Sequence, residues 1–238
     1  MRFLDLTLPT PAESVALDEA LLLEAEDCRS GEVLRLWEWP RPAVVLGAGC
    51  WLAADVDEAA CRADGVPLLR RASGGGTVLL GRGCLLFSLV LALDRSPALG
   101  DITASYRYIL GTVRDALKNL LPGIDLAGIS DLAAEGRKFS GNAQQRKRHH
   151  LLHHGTLLYD FDLDSVGRYL RLPARRPEYR ASRGHAEFLR NLPATADTLR
   201  NRLRAAWGAA EELPTWPAER VRELVRDKYE TDAWLRRR

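Results

Sequence analysis

The chain has 238 residues, a formal net charge of +2, 46% hydrophobic residues and 28% charged residues. This length suffices for one large domain with a sizeable core. So small a charge gives no argument for nucleic-acid binding, and no apolar run approaches the roughly 20 residues of a membrane-spanning helix. The first residues have acids and prolines where a signal peptide has an apolar core, so we expect a cytoplasmic protein with neither nucleic acid nor membrane as a partner.

The first predicted elements are a helix, two strands and a second helix. Apolar side chains recur with helical spacing over residues 13–26, with acids interspersed. Residues 33–39 alternate apolar and polar side chains and end at Pro40-Arg41-Pro42, which is typical of a strand followed by a turn. The apolar run 44–47 is a second strand, predicted to pair antiparallel with the first. Residues 53–64 fit a short connecting helix.

A glycine-rich stretch separates the next predicted strands. The apolar run 66–69 leads into three consecutive glycines, and the runs 77–80 and 84–93 follow. Gly81-Arg82-Gly83 divides these two runs, so we predict a β-hairpin at the centre of the sheet. Apolar residues within 102–121 have the spacing of one helical face, and this helix is expected to pack across the sheet.

The remaining elements complete an α+β fold. Strands are predicted over 129–138, 141–144 and 151–159, and helices over 164–170, 198–207 and 218–228. The sequence has no repeat and no linker that marks a second folded domain. We therefore predict one domain over residues 1–238, with a mixed, largely antiparallel sheet flanked by helices and a helical tail over 195–238.

The glycine-rich stretch contains the first candidate site. It reads Arg70-Arg71-Ala72-Ser73-Gly74-Gly75-Gly76-Thr77-Val78. Glycines lack a Cβ, so they allow positive φ and a close approach of backbone N–H groups to a ligand, while the two arginines supply positive charge. This combination suits a phosphate or a carboxylate. An ordinary glycine-rich hairpin with solvated arginines is the alternative, and so short a motif does not decide between them.

Two further motifs follow. They are Gly136-Arg137-Lys138-Phe139-Ser140-Gly141-Asn142-Ala143-Gln144 and His153-His154-Gly155-Thr156-Leu157-Leu158. In this order, the three motifs resemble the lipoate-protein ligase and octanoyltransferase family, which is related to the biotin-protein ligases. The resemblance covers most of the chain and implies the α+β fold of the biotin/lipoate-protein ligase catalytic domain.

The resemblance also implies roles for individual residues. Lys138 is the expected catalytic residue, because the family's lysine at this motif position contacts the acyl-adenylate. The implied nucleotide contacts are Arg71, Gly75, Gly76, Thr77, Val78, Leu79, Asp131 and Lys138. The implied acyl-substrate contacts are Arg70, Ser73, Gly74, Gly141, Asn142, Ala143, His154, Gly155 and Thr156. Arg70 is the weaker assignment, because neighbouring side chains on a strand face opposite sides of the sheet.

The implied activity is that of an ATP-dependent lipoate-protein ligase. With ATP and Mg²⁺, such an enzyme activates lipoate or octanoate as an acyl-adenylate. It then passes the acyl group to a lysine of a lipoyl-carrier protein, such as a glycine cleavage H protein or an E2 lipoyl domain. Arg71, the glycine backbone and Lys138 are expected to stabilise the negative charge that develops on phosphate and acyl oxygen.

Two alternatives stay open. The first is an ATP-independent octanoyl- or lipoyltransferase that works through a cysteine thioester. In such relatives the cysteine lies near the Gly-Arg-Lys motif, whereas residues 127–158 contain no cysteine, which favours the ligase. Cys84, in an apolar strand, is expected to be a buried thiol, and the spacing of the four cysteines predicts no metal site. The second alternative is a non-catalytic protein that binds lipoyl or biotinyl groups.

Two features differ from the family pattern. Many ligases have His-Asp shortly after the glycine motif, where this chain has Leu79-Leu80-Gly81. Better-known ligases also have a C-terminal accessory domain; none is expected here, so a separate accessory subunit is a candidate partner. The basic run Arg146-Lys147-Arg148 is expected to meet an acidic surface of the carrier, since complementary charge speeds encounter.

Overall fold

The computed structural model describes residues 1–28 and 31–238. Its strands form a large sheet and a small sheet, and most strand pairs are antiparallel, which confirms the predicted α+β class. The strands are β1 (Arg2–Asp5), β2 (Val33–Glu38), β3 (Ala43–Leu46), β4 (Leu68–Arg70), β5 (Val78–Leu80), β6 (Cys84–Ala92), β7 (Asp125–Ala127), β8 (Asp131–Ala134), β9 (Arg137–Arg146), β10 (His150–Leu158) and β11 (Glu211–Glu212).

The helices flank the sheets. They are α1 (Pro11–Cys28), α2 (Leu52–Asp55), α3 (Glu58–Ala63), α4 (Ile102–Leu117), α5 (Val166–Tyr169), α6 (His185–Phe188), α7 (Ala196–Ala206), α8 (Ala218–Leu224) and α9 (Asp232–Leu235). Helix α4 begins at a capping residue, because the Asp101 carboxylate accepts from the Ala104 N–H at 2.7 Å. None of the helices in the described ranges is long and apolar enough to cross a membrane.

The large sheet has the strand order β11-β1-β2-β6-β10-β9-β8-β7. Strand β6 lies inside it and pairs antiparallel with both β2 and β10. Its sequence, CLLFSLVLA, is almost continuously apolar, because both faces of the strand are covered. Alternate side chains reach two different cores: Cys84 and Val90 face one, and Leu85 and Leu89 face the other.

These two cores lie on opposite faces of the large sheet. The first joins the large sheet to helix α1 and the small sheet, and the second joins it to helices α4 and α7. The apolar stripe predicted on α4 packs into the second core, where Ile109, Val113 and Leu117 are fully buried. The two predicted long helices therefore cover the sheet from opposite sides.

The small sheet corrects two predicted strand pairs. Its order is β4-β3-β5, with β3 parallel to β4 and antiparallel to β5. Strands β2 and β3 therefore lie in different sheets, as do β5 and β6, so neither predicted pair exists. Gly83, between β5 and β6, has φ +80°, and a Cβ there would overlap the backbone of Asp160. This turn packs against the residues that follow β10 and takes the chain from one sheet to the other. The predicted pairs were wrong because an apolar run predicts a strand but not its partner.

The part of the helical tail from α8 onward packs onto the first core, in which Tyr229 is buried, whereas α7 packs into the second. Lys228 Nζ lies 2.8 Å from both carboxylate oxygens of Glu19, and the Tyr229 hydroxyl donates to the same carboxylate at 2.8 Å. Trp234 Nε1 donates to the Arg70 carbonyl at 2.7 Å. The tail therefore joins helix α1 to the end of strand β4, next to the glycine motif.

Candidate active site

A cavity of about 660 Å³ lies between the two sheets. Trp37 and Leu158 of the large sheet and Val45 and Leu79 of the small sheet contribute to its walls, and residues between 171 and 189 line another side. A mostly apolar cavity with a few polar groups is the usual form of a small-molecule site. Its shape and lining identify it as the candidate active site.

Most of the predicted site residues meet in this cavity. Those that line it are Arg71, Gly75, Gly76, Thr77, Val78, Leu79, Asp131, Lys138, Gly141, Asn142, Ala143, His154, Gly155 and Thr156. Arg70, Ser73 and Gly74 are not among the lining residues. The individual roles implied by the family resemblance stay predictions.

The buried side chain of Arg71 holds the glycine turn. Its guanidinium donates to Ser73 Oγ at 2.9 Å and to the carbonyls of Val45, Gly74 and Gly76 at 3.3, 2.5 and 2.8 Å. Burial lowers the pKa of Arg71 to about 10, so the group stays charged at neutral pH. All of these acceptors are neutral oxygens, so this cation favours an anion in the cavity that it lines.

Arg70 faces away from the cavity, which corrects its assignment to the substrate. The fully buried guanidinium donates to the Leu235 carbonyl at 2.7 and 2.9 Å, to the Gly47 carbonyl at 2.9 Å and to the Cys50 carbonyl at 2.8 Å. Adjacent residues on a strand point to opposite sides, so only one arginine of the pair reaches the cavity. Arg70 instead binds the tail to the loop that follows β3.

Lys138 lies at the cavity beside an acidic residue. Its Nζ is 2.7 Å from Asp131 Oδ1, and the Tyr179 hydroxyl donates to Asp131 Oδ2 at 2.7 Å. Burial and then the Asp131 charge raise the pKa of Tyr179, so this hydroxyl stays a donor. The Lys138 side chain is 26% exposed and lines the cavity. An ammonium held in this way is positioned to contact a negatively charged ligand.

A chain of hydrogen bonds links the cavity wall to the glycine turn. His154 Nδ1 lies 2.9 Å from Asp18 Oδ2, and His154 Nε2 lies 2.6 Å from Ser73 Oγ. Arg35 Nη1 donates to Asp18 Oδ1 at 2.7 Å. An ionised carboxylate only accepts, so we assign a proton to His154 Nδ1, and the Ser73 hydroxyl then donates to Nε2. The hydrogen bond from Arg71 to Ser73 Oγ agrees with this direction.

Ser73, His154 and Asp18 have the connectivity of a Ser-His-Asp triad, but the serine is not accessible to a substrate. Ser73 is 1% exposed and is not one of the residues that line the cavity. Its oxygen also accepts a hydrogen bond from Arg71, which fixes the hydroxyl within the glycine turn. The network therefore orients His154 as part of the cavity wall.

Gly155 leaves space for the side chain of Asn142. A Cβ at Gly155 would overlap Asn142 Oδ1 and would lie 2.9 Å from Phe87 Cε1. Asn142 Nδ2 donates to the Ser130 carbonyl at 2.8 Å and to Ser140 Oγ at 3.1 Å. The glycine of the third motif therefore allows an amide of the second motif to bind the loop before β8.

His153 is a packed core residue rather than a metal ligand. It is fully buried, and burial followed by the neighbouring His154 lowers its pKa to about 3, so the ring is neutral. Its Nδ1 lies 3.1 Å from Gln144 Nε2, and its Nε2 lies 3.3 Å from Asn142 Oδ1. The neutral ring thus accepts from one amide and donates to the other.

The substitution Gly155→Ala tests the packing of Gly155 against Asn142 and Phe87. We expect Gly155→Ala to destabilise the fold by about 1–3 kcal/mol and to slow any reaction in the cavity, because Asn142 or Phe87 has to move. Gly167→Ala is the matched control, since a Cβ at Gly167 would lie within 4 Å of no atom outside its own stretch of helix. Urea denaturation measures both variants. Equal stability of the two would mean that Asn142 adapts without cost, contrary to this account.

Several cavity residues were not predicted from the sequence. They include Asp18 and Trp37 and a basic segment that contains Arg171, Arg175 and Arg180. One sequence feature could have indicated that Asp18 is buried, because it is an acid inside the apolar run VALDEALLL. The basic segment lies in an irregular region, and nothing in its spacing indicated that it faces the site.

Known proteins share both the sequence pattern and the fold. The lipoyl protein ligase A/B catalytic domain family matches residues 10–202. The octanoyltransferase LipM of Carboxydothermus hydrogenoformans is 32% identical over 98% of this chain and 97% of its own length. A structure described as a bi-partite lipoate protein ligase and its E2 lipoyl domain from Thermoplasma acidophilum has 26% identity and a TM-score of 0.84, covering 99% of this chain and 95% of that chain. A structure of lipoate-protein ligase A bound with ATP has 26% identity and a TM-score of 0.82, and the match covers 99% of this chain and 98% of that chain.

Proposed function

Because the chain belongs to the family of lipoyl protein ligase A/B catalytic domains, we propose that it transfers a lipoyl or octanoyl group to a lysine of a lipoyl-carrier domain. The observation that carries this proposal is a single cavity lined by apolar side chains, by Lys138 and by the glycine turn. The apolar walls suit an acyl chain. Two of its cationic groups, Lys138 and Arg71, suit the activated carboxyl end, where negative charge develops during transfer.

The cysteines support direct transfer, without an acyl-enzyme thioester. All four lie in the described part of the chain, and none lines the cavity. Cys84 is fully buried within β6. Cys50 lies near the glycine turn, where its thiol donates to the Gly75 carbonyl at 3.4 Å, and burial raises the pKa of the Cys50 thiol. The thiolate is the nucleophilic form, so this environment disfavours a thioester at Cys50.

The first candidate for the acyl donor is an acyl-adenylate made from ATP. The carboxylate oxygen of lipoate attacks the α-phosphorus and pyrophosphate leaves; the lysine amine then attacks the acyl carbon and AMP leaves. Arg71 beside the cavity favours the phosphate, and the ATP-bound structure of a 26% identical ligase supports this candidate. Mg²⁺ usually binds through substrate phosphates and one or two carboxylates, so in this route it would enter with the ATP phosphates.

The second candidate is ATP-independent transfer from an acyl thioester of another carrier protein. Five of the most similar curated relatives are named octanoyltransferase LipM, at 24–32% identity. These names favour the second candidate over the ATP-dependent one. In this route the lysine amine attacks the thioester carbon directly, and the thiol of the donor carrier leaves.

One experiment separates the two donors. The protein is incubated with a lipoyl domain and either lipoate plus ATP and Mg²⁺, or octanoyl-acyl carrier protein without ATP. Intact mass reports the acylated lipoyl domain, and a coupled assay reports pyrophosphate. Product with pyrophosphate in the first mixture supports the ligase, and product in the second supports the transferase. Binding without product in either mixture would contradict acyl transfer and leave a lipoyl-binding protein.

Cysteine substitutions test direct transfer. We expect Cys50→Ser and Cys84→Ser each to retain acyl transfer within about threefold, since neither thiol is placed to attack the acyl carbon. Trapping with the acyl donor followed by peptide mass spectrometry should find no acyl group on either cysteine. A thioester at Cys50, together with loss of transfer in Cys50→Ser, would overturn the direct route.

A further inference from the structure

A basic and apolar surface surrounds one opening of the cavity. It consists of Ile129, Arg171, Leu172, Arg175 and Arg176, which we call the mouth surface. Ile129 is 78% exposed and Leu172 is 44% exposed, and all three arginines are exposed. Ile129 and the arginines also line the cavity, and Leu172 lies between the lining residues Arg171 and Pro173. The mouth surface is therefore continuous with the site.

The arginines of the mouth surface are free to meet a partner. None of the three forms an ion pair within the described ranges, and only Arg176 has a hydrogen bond from its guanidinium, to the Pro173 carbonyl at 3.1 Å. Glu178 is the exposed acid on the same segment, so the cations outnumber it. Unpaired surface cations attract an acidic partner and speed its association.

The apolar residues provide the second component of an interface. A single exposed apolar side chain is ordinary, but Ile129 and Leu172 both lie at the edge of the same cavity. The Ile129 loop also packs against the basic segment, because a Cβ at Gly128 would lie 3.4 Å from Pro177 Cβ. Apolar contacts surrounded by charged groups are the usual composition of a transient protein interface.

From these contacts we propose that the mouth surface docks an acidic lipoyl-carrier domain, which inserts its lysine past Ile129 toward Lys138. This inference rests on the proposed acyl-transfer function and assigns the surface that selects its protein substrate. The carrier places its acidic side chains on Arg171, Arg175 and Arg176. Its apolar contacts cover Ile129 and Leu172.

This assignment replaces the basic run Arg146–Arg148 as the carrier surface. Arg146 lies eight positions after Lys138 on strand β9, which at about 3.3 Å per residue places it roughly 26 Å away. Its guanidinium is also occupied, because it donates to the Leu99 carbonyl and lies 3.4 Å from Ser105 Oγ. The run is therefore at the far end of the strand that bears Lys138.

The test compares a protein acceptor with a small amine. Variants of the mouth surface are Ile129→Ser and the pair Arg175→Glu with Arg176→Glu. The controls are Ile102→Ser, an isoleucine that is 57% exposed at the start of α4, and Arg148→Glu in the basic run. Each protein receives the same acyl donor, with either the lipoyl domain or hydroxylamine as acceptor, and kcat/KM is measured at two salt concentrations.

We expect each mouth variant to lower kcat/KM for the lipoyl domain about tenfold relative to hydroxamate formation, with a larger drop at low salt for the arginine pair. The controls should resemble the unmodified protein. Parallel losses with both acceptors would show that the arginines bind the acyl donor, and a loss with Arg148→Glu alone would return the surface to the basic run; either result overturns the proposal. If the unmodified protein acylates neither acceptor, the proposed function itself fails.

Discussion

Replacing Lys138 by alanine should lower the rate of acyl transfer by a factor on the order of 100 or more, about 3 kcal/mol in transition-state stabilisation. Lys138 Nζ lies at the cavity, 2.7 Å from Asp131 Oδ1, and approaches the backbone of β9 so closely that a Cβ at Gly141 would lie 2.6 Å from it. The ammonium is therefore held in one place. Such a fixed charge stabilises an oxyanion or phosphate that becomes more negative in the transition state.

The fold of Lys138→Ala should remain intact, because Asp131 keeps its hydrogen bond from Tyr179 and is itself near the surface of the cavity. Lys138→Arg should not restore activity, since a planar guanidinium does not fit the compact position of an ammonium beside Gly141. Lys118→Ala, on the exposed end of helix α4, is the control for loss of one positive charge. Single-turnover acylation of the lipoyl domain is the measurement. Rates near those of the unmodified protein would refute the role of Lys138.

The sequence was informative about elements and less so about their partners. The apolar periods of α1, α4 and β6 predict where those elements lie, because burial of one face or of both is a local property of the pattern. The pairing of β3 with β4 and β5 depends instead on which distant segments share a core. The turn at Gly83 shows this, since its closest neighbour is Asp160, far along the chain.

For the site, too, the contributing residues could be predicted from the sequence, but their contacts with distant segments could not. The family resemblance implied that Lys138, Asn142 and His154 contribute to one site, and all three line one cavity. The family resemblance assigned both arginines to the site, with Arg70 as the weaker assignment, and only Arg71 lines the cavity, because Arg70 binds the tail. The tail lies outside the three motifs, so they could not reveal this contact.

Asp18 illustrates what periodicity alone misses. An acid in helix 13–26 reads as part of a solvated face, yet Asp18 is 3% exposed and Glu19 is 6% exposed. Each carboxylate is buried because a distant cation reaches it: Arg35 for Asp18 and Lys228 for Glu19. Buried acids need such partners, and a helical pattern gives no information about a partner on another element.

Removing the Asp18 carboxylate should therefore have the largest effect on stability. Asp18→Ala leaves the fully buried Arg35 guanidinium without its counter-charge, which typically costs about 3–5 kcal/mol in free energy of unfolding. It also frees His154 to rotate in the cavity wall. Asp115→Ala removes an exposed acid that pairs with Arg114, and this control should cost at most about 1 kcal/mol.

The pH dependence of stability gives an independent check on the same residue. Burial by itself raises the pKa of Asp18, but the Arg35 charge and the His154 hydrogen bond lower it by more, so the net pKa lies below its ordinary value of 3.8. A carboxyl whose pKa is depressed by folding stabilises the protein above its unfolded pKa, and this contribution is lost as pH falls through the folded pKa. As pH falls below about 4, urea midpoints of the unmodified protein should therefore decline more steeply than those of Asp18→Ala.

A double variant tests whether the unpaired charge of Arg35 causes the loss of stability in Asp18→Ala. In Asp18→Leu with Arg35→Met both charges are absent, and apolar residues in place of a buried ion pair are often neutral or stabilising. We expect this variant to recover much of the stability that Asp18→Ala loses, even though His154 lacks its acceptor in both. Equal destabilisation of the double variant and Asp18→Ala would show instead that the hydrogen bond to His154, and not the charge of Arg35, is what Asp18 provides.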